Sequence, residues 1–118
     1  MKKKLLIIED DQDTSFILGI IAEQLDLTVI HSPGALTVGE IENLAPNLIL
    51  LDHWVGDQLG GDLCARLKAD PATKHIPVIM LSAHNSIQQI ATEACADAFM
   101  AKPFDVDELL AVIAGFLK

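Results

Sequence analysis

Four short stretches of this chain end in residues that could do chemistry together. KLLII runs straight into Glu9, Asp10 and Asp11, NLILLD closes on Asp52, IPVIMLS closes on Ser82, and Lys102 stands just before Pro103. Three carboxylates within a few ångströms repel one another and lose solvent, which is costly unless something positive fills the space. All-oxygen ligation with few protein groups and retained waters suits Mg²⁺ rather than Zn²⁺. A hydroxyl and an ammonium add little for a cation alone, but they suit a phosphoryl group that shares the site with the metal. In that division of labour Asp52 is the nucleophile, Glu9 and Asp10 hold the metal, and Ser82 and Lys102 bind phosphoryl oxygens. Each residue alone has an ordinary reading as well: Asp opens turns, an acidic run caps a helix, and strand-end Ser or turn Lys is solvated. The elements that carry these residues decide whether they meet.

Residues 4–9, 47–52 and 76–82 are unbroken apolar runs, the pattern of strands covered on both faces. Residues 27–31 alternate and are β-branched, as at a sheet edge, and 97–101 make a short fifth strand. Between them lie helical patterns. Asp13 or Thr14 caps a helix reaching about Leu25, with Ile17, Leu18, Ile21 and Leu25 inward and Phe16 and Ile20 widening the stripe. Further helices are expected at 35–44, 62–68, 85–94 and 105–117, the last capped by Asp105 with Glu108 three residues on. Strands alternating with helices predict a doubly wound α/β fold with five parallel strands in the flavodoxin-like order 2-1-3-4-5 and five helices on the two faces. In that order the first and third strands are neighbours, so Glu9, Asp10 and Asp52 converge at the carboxyl edge, with Ser82 and Lys102 on the same rim.

The 118 residues are expected to form a single domain spanning 1–118. Hydrophobic residues make up 51% of the chain, yet no run approaches the roughly 18 apolar residues of a membrane span. MKKKLLII resembles the start of a signal peptide, but the acids that follow interrupt its apolar segment, so the protein is expected in the cytoplasm. With 8 basic and 17 acidic residues the net charge is −9, which opposes direct binding to nucleic acid and favours a protein partner or a cation. Cys64 and Cys95 have no metal-binding or disulfide spacing and are expected to line the core as reduced thiols.

These motifs together resemble the CheY-like receiver domain of two-component response regulators. The resemblance covers the whole chain and rests on Glu9-Asp10-Asp11, on LLD with Asp52, on Gly60 eight residues later, on MLSA with Ser82 and Ala83, and on FMAKPF with Phe99, Lys102 and Pro103. It implies a phosphoacceptor that is no enzyme in the ordinary sense. A sensor histidine kinase or histidine phosphotransfer protein would pass a phosphoryl group to Asp52 with Mg²⁺ bound by Asp10, Asp52 and the backbone carbonyl of Trp54, and by Glu9 through water. Ser82 would then move toward the phosphoryl group and Phe99 turn inward. The face of the fourth helix, fifth strand and fifth helix would report the change to a downstream protein or output domain, or form a homodimer. The resemblance also implies a cis Lys102–Pro103 bond.

The chain departs from the family pattern at Glu9, where Asp is commoner, at Gly56 in place of Pro, and at Cys95 in place of a common Gly. Trp54, Ala83 and His84 would flank the phosphoryl group, with Trp54 shielding it from water. Phe16 and Ile20 could dock a phosphotransfer helix, although the margin of the core is the preferred reading for them. A haloacid-dehalogenase-like phosphatase would need a second acid two residues after Asp52, where Trp54 stands. A flavodoxin-like nucleotide site would need a phosphate cradle where Glu9-Asp10-Asp11 would repel it. The remaining alternative is a receiver-like interaction module that works without phosphorylation.

Overall fold

The computed structural model describes residues 2–34, 36–55, 58–83 and 86–117, with backbone alone at 54, 55 and 58. Within them strands β1 (Lys4–Ile8), β2 (Thr28–Ser32), β3 (Leu48–Asp52), β4 (Val78–Ser82) and β5 (Ala98–Ala101) alternate with helices α1 (Gln12–Glu23), α2 (Val38–Leu44), α3 (Gly60–Ala69), α4 (Ile87–Glu93) and α5 (Val106–Phe116). The strands form one parallel sheet in the order β2-β1-β3-β4-β5. Burial follows position in that order. β3 and β4 are buried at every residue and β1 at all but Lys4, while the edge strands β2 and β5 are partly exposed. Strands with a helix layer on each side need apolar residues at successive positions, which is why the central three read as continuous runs.

The alternation of side chains divides the core in two. Leu6, Ile8, Ile49, Leu51, Val78 and Met80 pack against α2, α3 and α4. Leu5, Ile7, Leu48, Leu50, Ile79 and Leu81 pack against α1 and α5, together with Met100. Helix ends are set locally: Thr37 and Glu40 form a reciprocal capping box on α2, and the Asp105 carboxylate accepts from Glu108 N on α5.

Three expectations fail here. The cap of α1 is Asp11, and the helix begins at Gln12 rather than after Asp13 or Thr14. Its buried stripe is Leu18, Ile21 and Ala22, whereas Phe16 is 69%, Ile17 48% and Ile20 45% exposed. At roughly 100° per residue, Phe16 and Ile20 fall on the side of the helix opposite that stripe, with Ile17 on its flank. The middle of the helix is apolar all round, and only Gln12, Asp13 and Glu23 near its ends mark the solvent side. Cys64 is buried, but Cys95 is exposed and is no core thiol. It follows α4 with φ 62, in the left-handed region, where a Cβ is strained and glycine is not.

Cys95→Gly should therefore raise stability by about 1 kcal/mol in thermal or urea unfolding. Burial pushes the Cys64 thiol up to about 11, so alkylation near pH ~8 should label Cys95 and spare Cys64. A folded pKa above the ordinary 9.0 means this contribution to stability is intact below that pH and lost as pH rises toward 11. Urea midpoints of the wild type and Cys64→Ala should converge over that window.

Candidate functional site

Strand register brings the chemical residues to one edge. Ile8 pairs with Leu51, Asp52 with Leu81, and Ser82 with Ala101, so Glu9, Asp52, Ser82 and Lys102 sit at successive strand ends. The backbone stays tied at that edge: Glu9 N donates to Ser32 O at 3.1 Å, His53 N to Leu81 O at 3.0 Å, and Lys102 N to Ser82 O at 2.9 Å. Glu9, Asp52 and Lys102 each come two residues after a side chain packed on the α1–α5 side, namely Ile7, Leu50 and Met100. The period of two sends all three charged groups to that side.

There one ammonium serves two acids. Lys102 Nζ lies 2.8 Å from Glu9 Oε2 and 3.4 Å from Asp52 Oδ1. Glu9, Asp10 and Asp52 each offer a carboxylate oxygen within 4.8 Å of the others. Glu9 is 3% and Asp52 8% exposed, while Asp10 is open to solvent. Burial raises the Glu9 carboxyl above its ordinary value; the hydrogen bond from Lys102 pulls it down and the nearby Asp52 charge pushes it up. Burial works against the Lys102 ammonium, but its hydrogen bond to Glu9 and the charges of Asp52 and Glu9 outweigh that and hold it above the ordinary value.

The sequence reading gave Glu9 to the metal and Lys102 to the phosphoryl group, and did not anticipate that they bind each other. The other Glu9 oxygen, Oε1, accepts from Asp11 N at 3.2 Å, so both oxygens are engaged. Asp11 itself accepts from Thr14 Oγ1. Ser82 is buried on the same rim but follows Met80, which packs toward the opposite layer. Phe99 pairs with Met80, stands outside the acidic cluster and is 41% exposed. Ala83 is exposed beside Ser82, the backbone of Trp54 is two residues past Asp52, and Lys102–Pro103 is cis. The expectations for His84, for Gly56 and for the Trp54 side chain lie outside the described residues.

Two further features had weak signals in the sequence. A two-stranded ribbon, Trp54–Val55 with Gln58–Leu59, follows Asp52. Then Gly60 N donates to His53 O, and a Cβ on Gly60 would come 2.1 Å from Asp52 O. Only glycine lets α3 begin this close to the backbone that carries Asp52.

Residues 5–114 match the response regulator receiver domain, and the chain belongs to that family. It is 34% identical over 118 residues to the DNA-binding dual master transcriptional regulator RpaA of Synechocystis, covering 98% of this chain and 49% of that protein. It thus spans about half the length of the curated regulator it matches. A response regulator from Chloroflexus aurantiacus superposes with a TM-score of 0.86 at 28% identity, covering 99% of this chain and 98% of the other. The BeF3-activated receiver domain of DrrB does so with a TM-score of 0.82 at 26% identity, covering 99% and 98%.

Lys102→Met should leave Glu9 buried without its cation and cost about 3 kcal/mol near neutral pH. With Lys102 gone, Glu9 rises further, and a raised folded pKa means stability is kept in acid and lost as pH climbs through it. The deficit relative to wild type in urea unfolding should shrink toward pH ~4.5, the ordinary value for Glu. A pH-independent deficit would show that the lysine contributes packing alone.

Proposed function

We propose that Asp52 accepts a phosphoryl group from a phosphohistidine of a sensor histidine kinase or histidine phosphotransfer protein, with Mg²⁺ as cofactor. The observation that carries this reading is the Asp52 carboxylate, buried at 8% exposure and 3.4 Å from the Lys102 ammonium, within a three-carboxylate cluster. An Asp52 oxygen would attack phosphorus as the P–N bond breaks and imidazole leaves, taking its proton from solvent. Lys102 is placed to hold a phosphoryl oxygen, and Ser82 to offer its hydroxyl to another. Autodephosphorylation by water would return the carboxylate, so the chain would promote both its own phosphorylation and its own hydrolysis.

The donor set fits a hard divalent cation, being all oxygen and clustered within 4.8 Å. Asp10 and Asp52 would hold it directly, with the Trp54 carbonyl. Glu9, whose two oxygens are engaged by Lys102 and Asp11 N, would act through water. Bound there, Mg²⁺ would neutralise charge shared by the carboxylates and the incoming phosphoryl group.

Phe16, Ile17 and Ile20 expose an apolar ridge on α1, which supports docking of a donor helix beside the acidic edge. Phe99, outward on β5, would turn inward after phosphorylation and alter the α4–β5–α5 face read by a downstream protein or output domain. The net charge of −9 disfavours direct contact with nucleic acid. Among the described residues no helix is long and apolar enough to cross a membrane, and a kinase-fed phosphoacceptor with two free thiols belongs in the cytoplasm.

Acetyl phosphate with Mg²⁺ should add one phosphoryl mass to the intact chain, and Asp52→Asn or chelation should abolish it. A mass gain that survives Asp52→Asn would overturn the assignment. Asp10→Asn, which relieves repulsion in the cluster, should raise stability by about 1 kcal/mol in chelator and remove the extra stability that Mg²⁺ gives the wild type.

A further inference from the structure

Helices α3 and α4 leave an opening between them. A groove of about 330 Å³ lies there, with Gly61 and Ala65 on one wall and Ile90 and Ala94 on the other. Among the described residues, none from β5 or α5 lines it. Its floor is His53, which is 8% exposed. Strand alternation explains that placement: Asp52 leaves the sheet toward α1 and α5, so the next side chain turns to the α3–α4 side. Packing does not force the floor open. A Cβ on Gly61 would come 3.4 Å from the His53 ring and 3.5 Å from Ile90, both ordinary contacts, whereas Gly60 beside it has no room for one. Alanine at 61 would favour the helix and fill the floor. The chain instead keeps a glycine whose local effect is an open cavity, small but within the range of ligand sites.

The rim carries charge of one sign. Asp62 on α3 and Glu93 on α4 line the groove from its two sides and are exposed. Among the described residues, no Lys or Arg lines it. Arg66, one turn beyond Asp62, folds its Nε onto the Asp62 carbonyl at 3.4 Å and stays outside. Glu93 Oε1 accepts from Gln89 Nε2 at 3.2 Å, a neutral donor that leaves the carboxylate charge in place. An anion would meet two carboxylates at the mouth, and a neutral apolar molecule would desolvate them with no counter-charge. A cationic head answers both, while a flat apolar body fits between the small side chains and against the imidazole. We infer that the α3–α4 groove is a binding site for a small organic cation, a short flat apolar body carrying an amidinium, guanidinium or ammonium group. The inference stands on the cavity, its charge and Gly61. Only its link to signalling rests on the function proposed above: His53 directly follows Asp52, so occupancy of the groove and phosphorylation would shift one another's equilibria.

The test titrates the full chain with benzamidine by calorimetry at low salt, with Mg²⁺ present to occupy the acidic edge. Saturation with a Kd below about 1 mM is expected. Affinity should fall at least about tenfold in Asp62→Asn/Glu93→Gln and in Gly61→Ala. The Gly61 variant should melt no lower than wild type, which separates a filled floor from a damaged fold. Affinity should change less than about twofold in Glu23→Gln/Glu42→Gln, the same loss of charge on α1 and α2. Benzamide and benzoate, of the same shape but neutral and negative, should bind at least about tenfold more weakly. Amide resonances of His53, Gly61 and Glu93 should move with the ligand. No saturation up to about 10 mM, benzamide or benzoate binding as tightly, equal loss in both variant pairs, or shifts confined to Glu9, Asp10 and Asp52 would each overturn the proposal. A Kd unchanged by beryllofluoride would overturn the link to signalling alone. Intact mass after acetyl phosphate is read separately, so failed phosphorylation and failed binding give different results.

Discussion

One half-buried ammonium makes the carboxyl edge of this sheet possible. Glu9 and Asp52 end neighbouring strands, nearly out of solvent, and two such charges side by side would raise the folded state's energy. Lys102 answers them from the far strand at 2.8 and 3.4 Å. The pairing therefore spans four strands, and it holds only if every register between them holds. A slip of one residue would send any one of these side chains to the opposite layer, leaving an unpaired charge in a core. The continuous apolar runs of β1, β3 and β4 are what fix those registers, because both faces of each strand are committed.

That dependence explains which parts of the molecule could be read from the sequence. Strands covered on both sides announce themselves as runs, and their alternation with helices leaves few topologies, so the strand order and the convergence of Glu9, Asp52, Ser82 and Lys102 on one edge were legible. The partner of Glu9 was not. Which group a buried carboxylate reaches depends on the length of its arm and on the far strand, and spacing along the chain carries no information about either. Helix α1 shows the opposite difficulty. Phe16, Ile17, Leu18, Ile20 and Ile21 surround the middle of the helix, only Gln12, Asp13 and Glu23 near its ends mark the solvent side, and that side proved to hold three large apolar residues. Gly60 was visible as a motif residue, but its reason, a Cβ that would strike Asp52 O, needs the return of α3 onto β3. Cys95 stood where a glycine is common, and the left-handed backbone at that position is the physical content of that departure.

The exposed apolar surface is localised. Among the described residues, Phe16, Ile17 and Ile20 lie on one helix beside the acidic edge, Phe99 lies on the edge strand β5, and Val106 opens α5. Isolated exposed leucines and isoleucines are ordinary in soluble domains, but large side chains adjacent on one helix, or an aromatic on a bare sheet edge, keep a hydration cost that a partner removes. The cations near them are already paired, Lys102 with Glu9 and Asp52, and Lys68 with Asp97 just before β5.

Strand alternation also constrains how the site and the β5 surface can communicate. Glu9, Asp52 and Lys102 leave the sheet toward α1 and α5, whereas Ser82 continues from Met80 toward α4, and Phe99 is the residue opposite Met80. The charged cluster and the aromatic are therefore on different sides of the same sheet. Ser82 is the residue common to both, since it ends β4 at the acidic edge and shares a side with Phe99 two rungs along. A new charge on Asp52 could draw the Ser82 hydroxyl round the strand end without breaking the ladder, because Ser82 O and Lys102 N keep the backbone bond there. The space vacated would open on the α4 side, where Phe99 stands. On this geometry the proposed switch would need one hydroxyl to change partners and one ring to change rotamer, with every strand register left in place.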